Sequence, residues 1–269
     1  MNAFIEMFSH PFIVRALIVG VAVSLCSALV GVTLVLRRNS MIGDGLSHTA
    51  FGAFALAVVL GFTPIWFALP VVIIASFAVL RISQSRSGHG DSAIALLSAS
   101  SLAIGTIAIS VSGGVNIDLN TYLFGSILSA SWSDVILSVI LSVLVVAFYI
   151  FAHNKVFAIT FNEEFAESIG IKTGVYDTIF AIICSVIVVL GMRLLGSLLI
   201  SSLIIFPTAS AMQIAKSFKH VVMFSAIISV IGFFVGMVIS YFASTPTGAT
   251  VVIVDLVMFL LLFISKRLK

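Results

Sequence analysis

In the stretch RRNSMIGDGLSH, residues 37–48, an aspartate and a histidine stand four apart where a long apolar run begins. On a helix that spacing puts Asp44 and His48 on one face, with Cβ atoms roughly 5–6 Å apart. A carboxylate oxygen and an imidazole nitrogen so placed can both reach a zinc-sized ion at about 2.0–2.2 Å. Asp44 equally suits a helix N-cap, and His48 a satisfied polar residue inside a bundle, so spacing alone leaves both readings open. Gly43 and Gly45 permit an irregular helix start, which fits an exposed ion site or an ordinary turn.

Other polar residues are less specific. Asp255 lies well inside an apolar run, VVIVDLVMF, where pairing with Arg15 or Arg193 is the expectation. His89 and Asp91 read as solvation and capping at a helix start, and His10, His153 and His220 as interfacial residues near segment ends. Cys26 and Cys184 sit in apolar stretches and read as small buried hydrophobes; two such residues build neither a disulfide framework nor a thiolate metal site. Residues 161–174, FNEEFAESIGIKTG, form the one charged segment long enough for a short helix between apolar runs. It reads as a solvated loop or as a docking helix for a soluble partner. A phosphate-binding loop requires Gly directly before the Lys, and here Ile171 stands there.

The elements that must position these residues follow from composition. The 269 residues are 61% hydrophobic and 9% charged, with a mean hydropathy of +1.30. Soluble domains carry about 25% charged residues. Apolar runs recur from end to end, each close to the roughly 20 residues a helix needs to cross a bilayer core. They are continuous rather than alternating, which excludes a β-barrel. The fold class is therefore all-α, a polytopic transmembrane helical bundle, read as one domain over 1–269. The first run has no basic segment before it and reads as a retained helix, not a signal peptide.

Nine spans are expected, at about 12–36, 44–61, 64–81, 92–113, 134–152, 175–193, 196–215, 220–243 and 248–265. Segment 116–131 is too polar at its start to count and reads as a re-entrant or short interfacial helix. Of the 13 Lys and Arg, all but Arg15 and Arg193 follow odd-numbered spans. Those ends should face the cytoplasm, with the N-terminus outside and the C-terminus inside. An eight-span count breaks this alternation. The same bias explains the net charge of +3 without invoking nucleic acid. Arg37 and Arg38 then read as a topological anchor, with Asp44 about 9 Å beyond them if the segment is helical throughout. Gly232 and Gly236 have the spacing that lets helix backbones approach closely.

Several stretches together carry a family resemblance. LRRNSMIGDGLSHTAFGAFAL (36–56) resembles the start of the second helix in permeases of the manganese/zinc/iron ATP-binding-cassette importers, with their RR-x-S-x-x-G-D-x-L-x-H pattern. DLNTYLFGSIL (118–128), LLGSLLISSLIIFPTASA (194–211) and STPTGATVVI (244–253) resemble three more of the family's signatures, in its order. EEFAESIGI (163–171) is similar to the loop through which such permeases contact their ATPase. The matches run from about residue 12 to 262; residues 208–210 depart from the family's more alanine-rich sequence.

The resemblance implies a permease homodimer in a prokaryotic plasma (inner) membrane, served by an extracytoplasmic metal-binding protein and a cytoplasmic ATPase. It implies a transit metal site at Asp44 and His48 and ATPase coupling through Glu164, Ala166 and Gly170. No permanently bound cofactor is implied, and the chain is a transport subunit rather than an enzyme. Asp plus His is compatible with Zn²⁺, Mn²⁺ or Fe²⁺; YLFG at 122–125 resembles the zinc branch. The alternatives are a stand-alone secondary transporter with Asp44 titrating, or a membrane scaffold in which Asp44 caps a helix.

Overall fold

The computed structural model describes residues 7–83, 90–112, 125 and 127–267. Among them every regular element is helical, and nine helices are long and apolar enough to cross a membrane. This follows from the solvent: an apolar run in a bilayer must satisfy its backbone internally, and the α-helix does so within one segment. The spanning helices are α1 (Pro11–Leu36), α2 (Ile42–Val59), α3 (Pro64–Ser83), α4 (Gly90–Val111) and α5 (Trp132–Phe151). Two short helices follow, α6 (His153–Phe161) and α7 (Glu163–Ser168). Then come α8 (Thr173–Leu195), α9 (Ser197–Ile214), α10 (Phe218–Ala243) and α11 (Thr247–Arg267).

All nine expected spans are present, with ends shifted by up to two residues. Of segment 116–131, residues 116–124 and 126 lie outside the described residues, as does His89; a 3-10 turn at Ile127–Ser129 leads into α5. Ser131 and Asp134 start α5 with a reciprocal capping box. Segment 37–48 is not one continuous helix. The chain turns at residues 37–41, with Arg38 at φ +60°, and Asp44 falls in the first turn of α2.

α1 is the post of the bundle, with Ala, Val and Ser buried along most of its length. Interhelical hydroxyl bonds fasten it: Thr33 Oγ1 and Tyr149 Oη lie 2.8 Å apart, and Ser229 Oγ donates to Ser24 O at 2.9 Å. Such bonds matter where no water competes. Thr208 and Ser225 add another at 3.1 Å, so the departure at 208–210 places a hydroxyl contact between α9 and α10. Gly232 and Gly236 do bring backbones together, but within the chain: Gly232 faces Asp255 and Gly236 faces Val251, seating α11 on α10. α2 packs tightly on α4, where Gly52 meets the Ser101 backbone and Gly105 meets Phe51. α4 is otherwise open, with only Ile94 and Gly105 buried.

Two expectations about charged residues are corrected. Asp255 pairs with neither arginine. Arg193 Nη1 donates to Asp134 Oδ1 at 3.0 Å, and Arg15 Nε reaches the Pro11 carbonyl. Asp255 is 1% exposed, and neither carboxylate oxygen has a hydrogen-bond partner among the described residues. Arg37 is more than an anchor. Its guanidinium donates to Asp177 Oδ1 at 2.7 Å and to Glu163 Oε2 at 3.0 Å, tying the end of α1 to α7 and α8.

Candidate metal pathway and coupling segment

The first turn of α2 presents Asp44 and His48 on one face, as the four-residue spacing requires. His48 Nε2 lies 3.7 Å from Asp44 Oδ2. Two ligands at about 2.1 Å from a tetrahedral ion stand roughly 3.4 Å apart, so a small inward movement lets both hold one cation. Asp44 is not the N-cap of α2; that position is Met41, which makes no side-chain cap bond. The carboxylate instead sits at the third helical position and accepts a hydrogen bond from Ser201 Oγ of α9 at 3.3 Å. Its placement in the first turn also suits the helix dipole.

Tight packing sets this meeting of α2 and α9. α8 ends and α9 begins at Gly196, whose φ of +87° turns the chain with no intervening loop. Ile204 of α9 then packs against Gly31 of α1 and Gly43 of α2. The flanking glycines of Asp44 therefore serve close approach: Gly43 toward Ile204, Gly45 toward Ile94 of α4. Ser201 sits one turn above Ile204 and faces Asp44. Ser47 Oγ donates to the Asp44 carbonyl at 2.9 Å and lies 3.5 Å from Ser201 Oγ. Sequence reading assigned no role to Ser201 or Ser47. The available signal was a hydroxyl in an otherwise apolar helix, within a stretch already singled out for its resemblance.

The pair is accessible on the isolated chain: the side chain of Asp44 is 39% exposed and that of His48 24%. His48 Nδ1 points inward, buried and without a hydrogen-bond partner among the described residues. No group of three or more His, Cys, Asp or Glu side chains able to hold a metal occurs among the described residues. One chain thus offers two candidate ligands, Asp44 and His48, with a hydroxyl beside them.

The residues expected to couple to an ATPase, Glu164, Ala166 and Gly170, lie at the bundle end where Arg37 is fastened. Asn162 caps α7 by accepting from the Phe165 amide at 2.9 Å. The helix stops in a Schellman motif: Gly170 N donates to Glu167 O at 2.9 Å and Ile171 N to Ala166 O at 3.0 Å. Gly170 holds φ +85°, and the space around its α-carbon is open. Glu164 is exposed, whereas Ala166 is fully buried and forms the contact of α7 with the bundle. Phe161, Phe165 and Ile169, four residues apart, stand exposed along α6 and α7. Partial burial holds the Glu163 carboxyl above the usual Glu range; the nearby Arg37 opposes this, while Asp177 and Glu167 reinforce it.

The ABC 3 transport family model matches residues 9–266, nearly the whole chain. The chain belongs to the ABC 3 transport family. This bears out the resemblance read from the motifs. The "High-affinity zinc uptake system membrane protein ZnuB" of Haemophilus influenzae is 30% identical over 254 residues, covering 94% of this chain and 97% of that protein. The "Manganese import system permease protein ScaB" of Streptococcus gordonii is 28% identical over 252 residues, covering 94% and 90%. The solved structure "PsaBC from Streptococcus pneumoniae in complex with Fab" aligns with a TM-score of 0.85 at 26% identity, covering 98% of this chain and 95% of that one. The fold is thus shared, over nearly the whole chain, with that solved structure.

Proposed function

We propose that this protein is the membrane permease of an ATP-driven importer of a divalent transition metal, most simply zinc, with Asp44 and His48 as the transit ligands. The observation that carries the reading is the Asp44–His48 pair, opened toward the exterior of a single chain at the start of α2. The carboxylate and imidazole hold the cation substrate, and Ser201 steadies Asp44 while leaving its second oxygen toward His48. Two ligands per chain bind weakly enough for release, and a second copy of the permease supplies a second pair. The small-residue face of α4, with Ala99, Ser100, Ala103 and Thr106 exposed on the helix that packs against α2, supports such a neighbour.

At the opposite functional end, a cytoplasmic ATPase docks on α7. Glu164 and the exposed Phe165 and Ile169 meet it, Gly170 shapes the turn, and buried Ala166 seats the helix. The N-terminus lies outside and the basic bundle end faces the cytoplasm of a prokaryotic plasma membrane, as the Lys/Arg distribution supports. An extracytoplasmic metal-binding protein delivers the ion. The donor set accommodates zinc, manganese and iron alike, and relatives are named for both zinc and manganese. The preference for zinc rests on the resemblance of residues 122–125, of which only Gly125 is described.

The test is uptake by the permease reconstituted with its ATPase and binding protein. Asp44→Ala and His48→Ala should each lower zinc uptake at least tenfold while the ATPase still copurifies. Normal uptake by both variants overturns the metal assignment. Full-rate zinc movement by the permease alone in liposomes favours a stand-alone transporter. Faster uptake of manganese than zinc reassigns the cargo within the same machinery.

A further inference from the structure

A cleft lies apart from both the Asp44–His48 pair and α7. It holds about 750 Å³ between α1, α5, α6 and α10, well within the size of specific small-ligand sites. Its floor is apolar, formed by Leu29, Val146 and Val222, and its walls include Ile150 and Met223, which stand exposed on the outside of the bundle. Tyr149 also lines it, but its hydroxyl is already bonded to Thr33. The polar groups gather at one end: Lys219, His153 and Asn154.

That end has a definite character. Lys219 is in the first turn of α10, is exposed, and makes no ion pair among the described residues. The His153 ring packs against Phe218 at 5.3 Å between centroids, which fixes it at the mouth beside Lys219. No carboxylate lines the cleft. Lys155, Lys216 and Lys266 belong to the same bundle end: Lys155 lies over Tyr176, and Lys266 reaches Gln213 just before Lys216. The cleft therefore runs from the apolar flank of spanning helices to a cationic mouth at the membrane boundary.

We infer that this cleft is a binding site for an anionic phospholipid of the surrounding bilayer, with acyl chain against the α1–α5–α10 floor and phosphate at Lys219, His153 and Asn154. An apolar groove opening sideways from spanning helices meets lipid tails, which fill it without a desolvation cost. A free cation at its mouth favours a negative headgroup over a zwitterionic one. Basic pockets between spanning helices on the cytoplasmic side hold such headgroups generally. Asn154 adds a neutral donor for the phosphate oxygens.

The experiment is native mass spectrometry of the full chain after equilibration with equal phosphatidylglycerol and phosphatidylcholine of identical acyl chains. The wild type should retain one tightly held lipid per chain, with phosphatidylglycerol preferred about fivefold or more. Lys219→Gln, at an exposed position, should remove most of that preference, whereas Lys216→Gln, outside the cleft lining, should leave it unchanged. Met223→Trp, which fills the apolar wall, should lower retention of both lipids. Equal retention of the two lipids by the wild type overturns the proposal. So does a preference that survives Lys219→Gln, or a lipid count indifferent to Met223→Trp. A cleft covered by a second copy of the chain, seen as protection of Met223 from oxidation only in the dimer and with no lipid retained, likewise overturns it.

Discussion

Replacing Arg37 by alanine should loosen the hold of α1 on α7 and α8. The guanidinium makes two charge-assisted hydrogen bonds, 2.7 Å to Asp177 and 3.0 Å to Glu163, and its side chain is 10% exposed. A fully buried bond of this kind contributes about 1.5–3 kcal/mol. The Glu163 partner is 34% exposed, so solvent screening reduces its share to about 1 kcal/mol or less. Asp177 is more enclosed and keeps about 2 kcal/mol. Asp177 belongs to α8, so only the Glu163 bond resists the opening of α7, and about 1 kcal/mol is a factor of roughly 5 in that equilibrium. Arg37→Lys keeps the charge but not the fork and should lose about half of that energy.

Amide hydrogen exchange is the direct assay, because α7 is short and its protection reports local opening rather than global unfolding. Exchange across 163–171 should accelerate about fivefold in Arg37→Ala, with protection of α1 and α10 unchanged. The pH dependence gives a second readout. The fold holds the Glu163 carboxyl above its ordinary value, chiefly through burial, and Arg37 works against that rise. For a raised carboxyl, stability is complete below the unfolded value of about 4.3 and is lost as pH climbs through the raised one. Removing Arg37 extends that window upward, and Glu163→Gln abolishes it. If α7 protection changes less than about twofold in Arg37→Ala, the guanidinium is not what clips α7 to α1. A residual pH window in Glu163→Gln assigns the titration to another group.

Two further substitutions test other parts of the fold. Asp255→Ala removes a buried carboxyl with no hydrogen-bond partner among the described residues and should raise thermal stability in detergent by about 1–2 kcal/mol; a lower melting temperature would mean the carboxyl has a stabilising role. Gly170→Ala places a Cβ at φ +85° and should destabilise α7 by about 1 kcal/mol, seen as faster exchange at residues 167–171, although nothing nearby would clash. Unchanged exchange there would show that the Schellman turn does not set the end of α7.

The local features were legible in the chain itself. Nine apolar segments became nine spanning helices because bilayer burial forces each to satisfy its own hydrogen bonds. Asp44 and His48 share a face because helical geometry repeats over four residues. The charged segment 161–174 formed its short helix because Asn162 can cap it and Gly170 can end it. Each of these depends on neighbours within a turn or two.

What only the tertiary structure decided are the contacts between distant segments. Ser201 reaches Asp44 across 157 residues, and Arg37 reaches Glu163 and Asp177 across 126 and 140. Apolar helices of similar composition are interchangeable in hydropathy, so which faces meet is set by where a glycine admits a neighbour. Gly43 and Gly31 admit Ile204 and so carry Ser201 to the aspartate. Gly232 admits Asp255, which therefore lies against α10 instead of beside Arg15 or Arg193. The sequence by itself determined the helices, their number and the Asp44–His48 pair carried on one of them. Packing, which depends on the joint shape of many faces at once, decided what stands around that pair and what holds α7 in place.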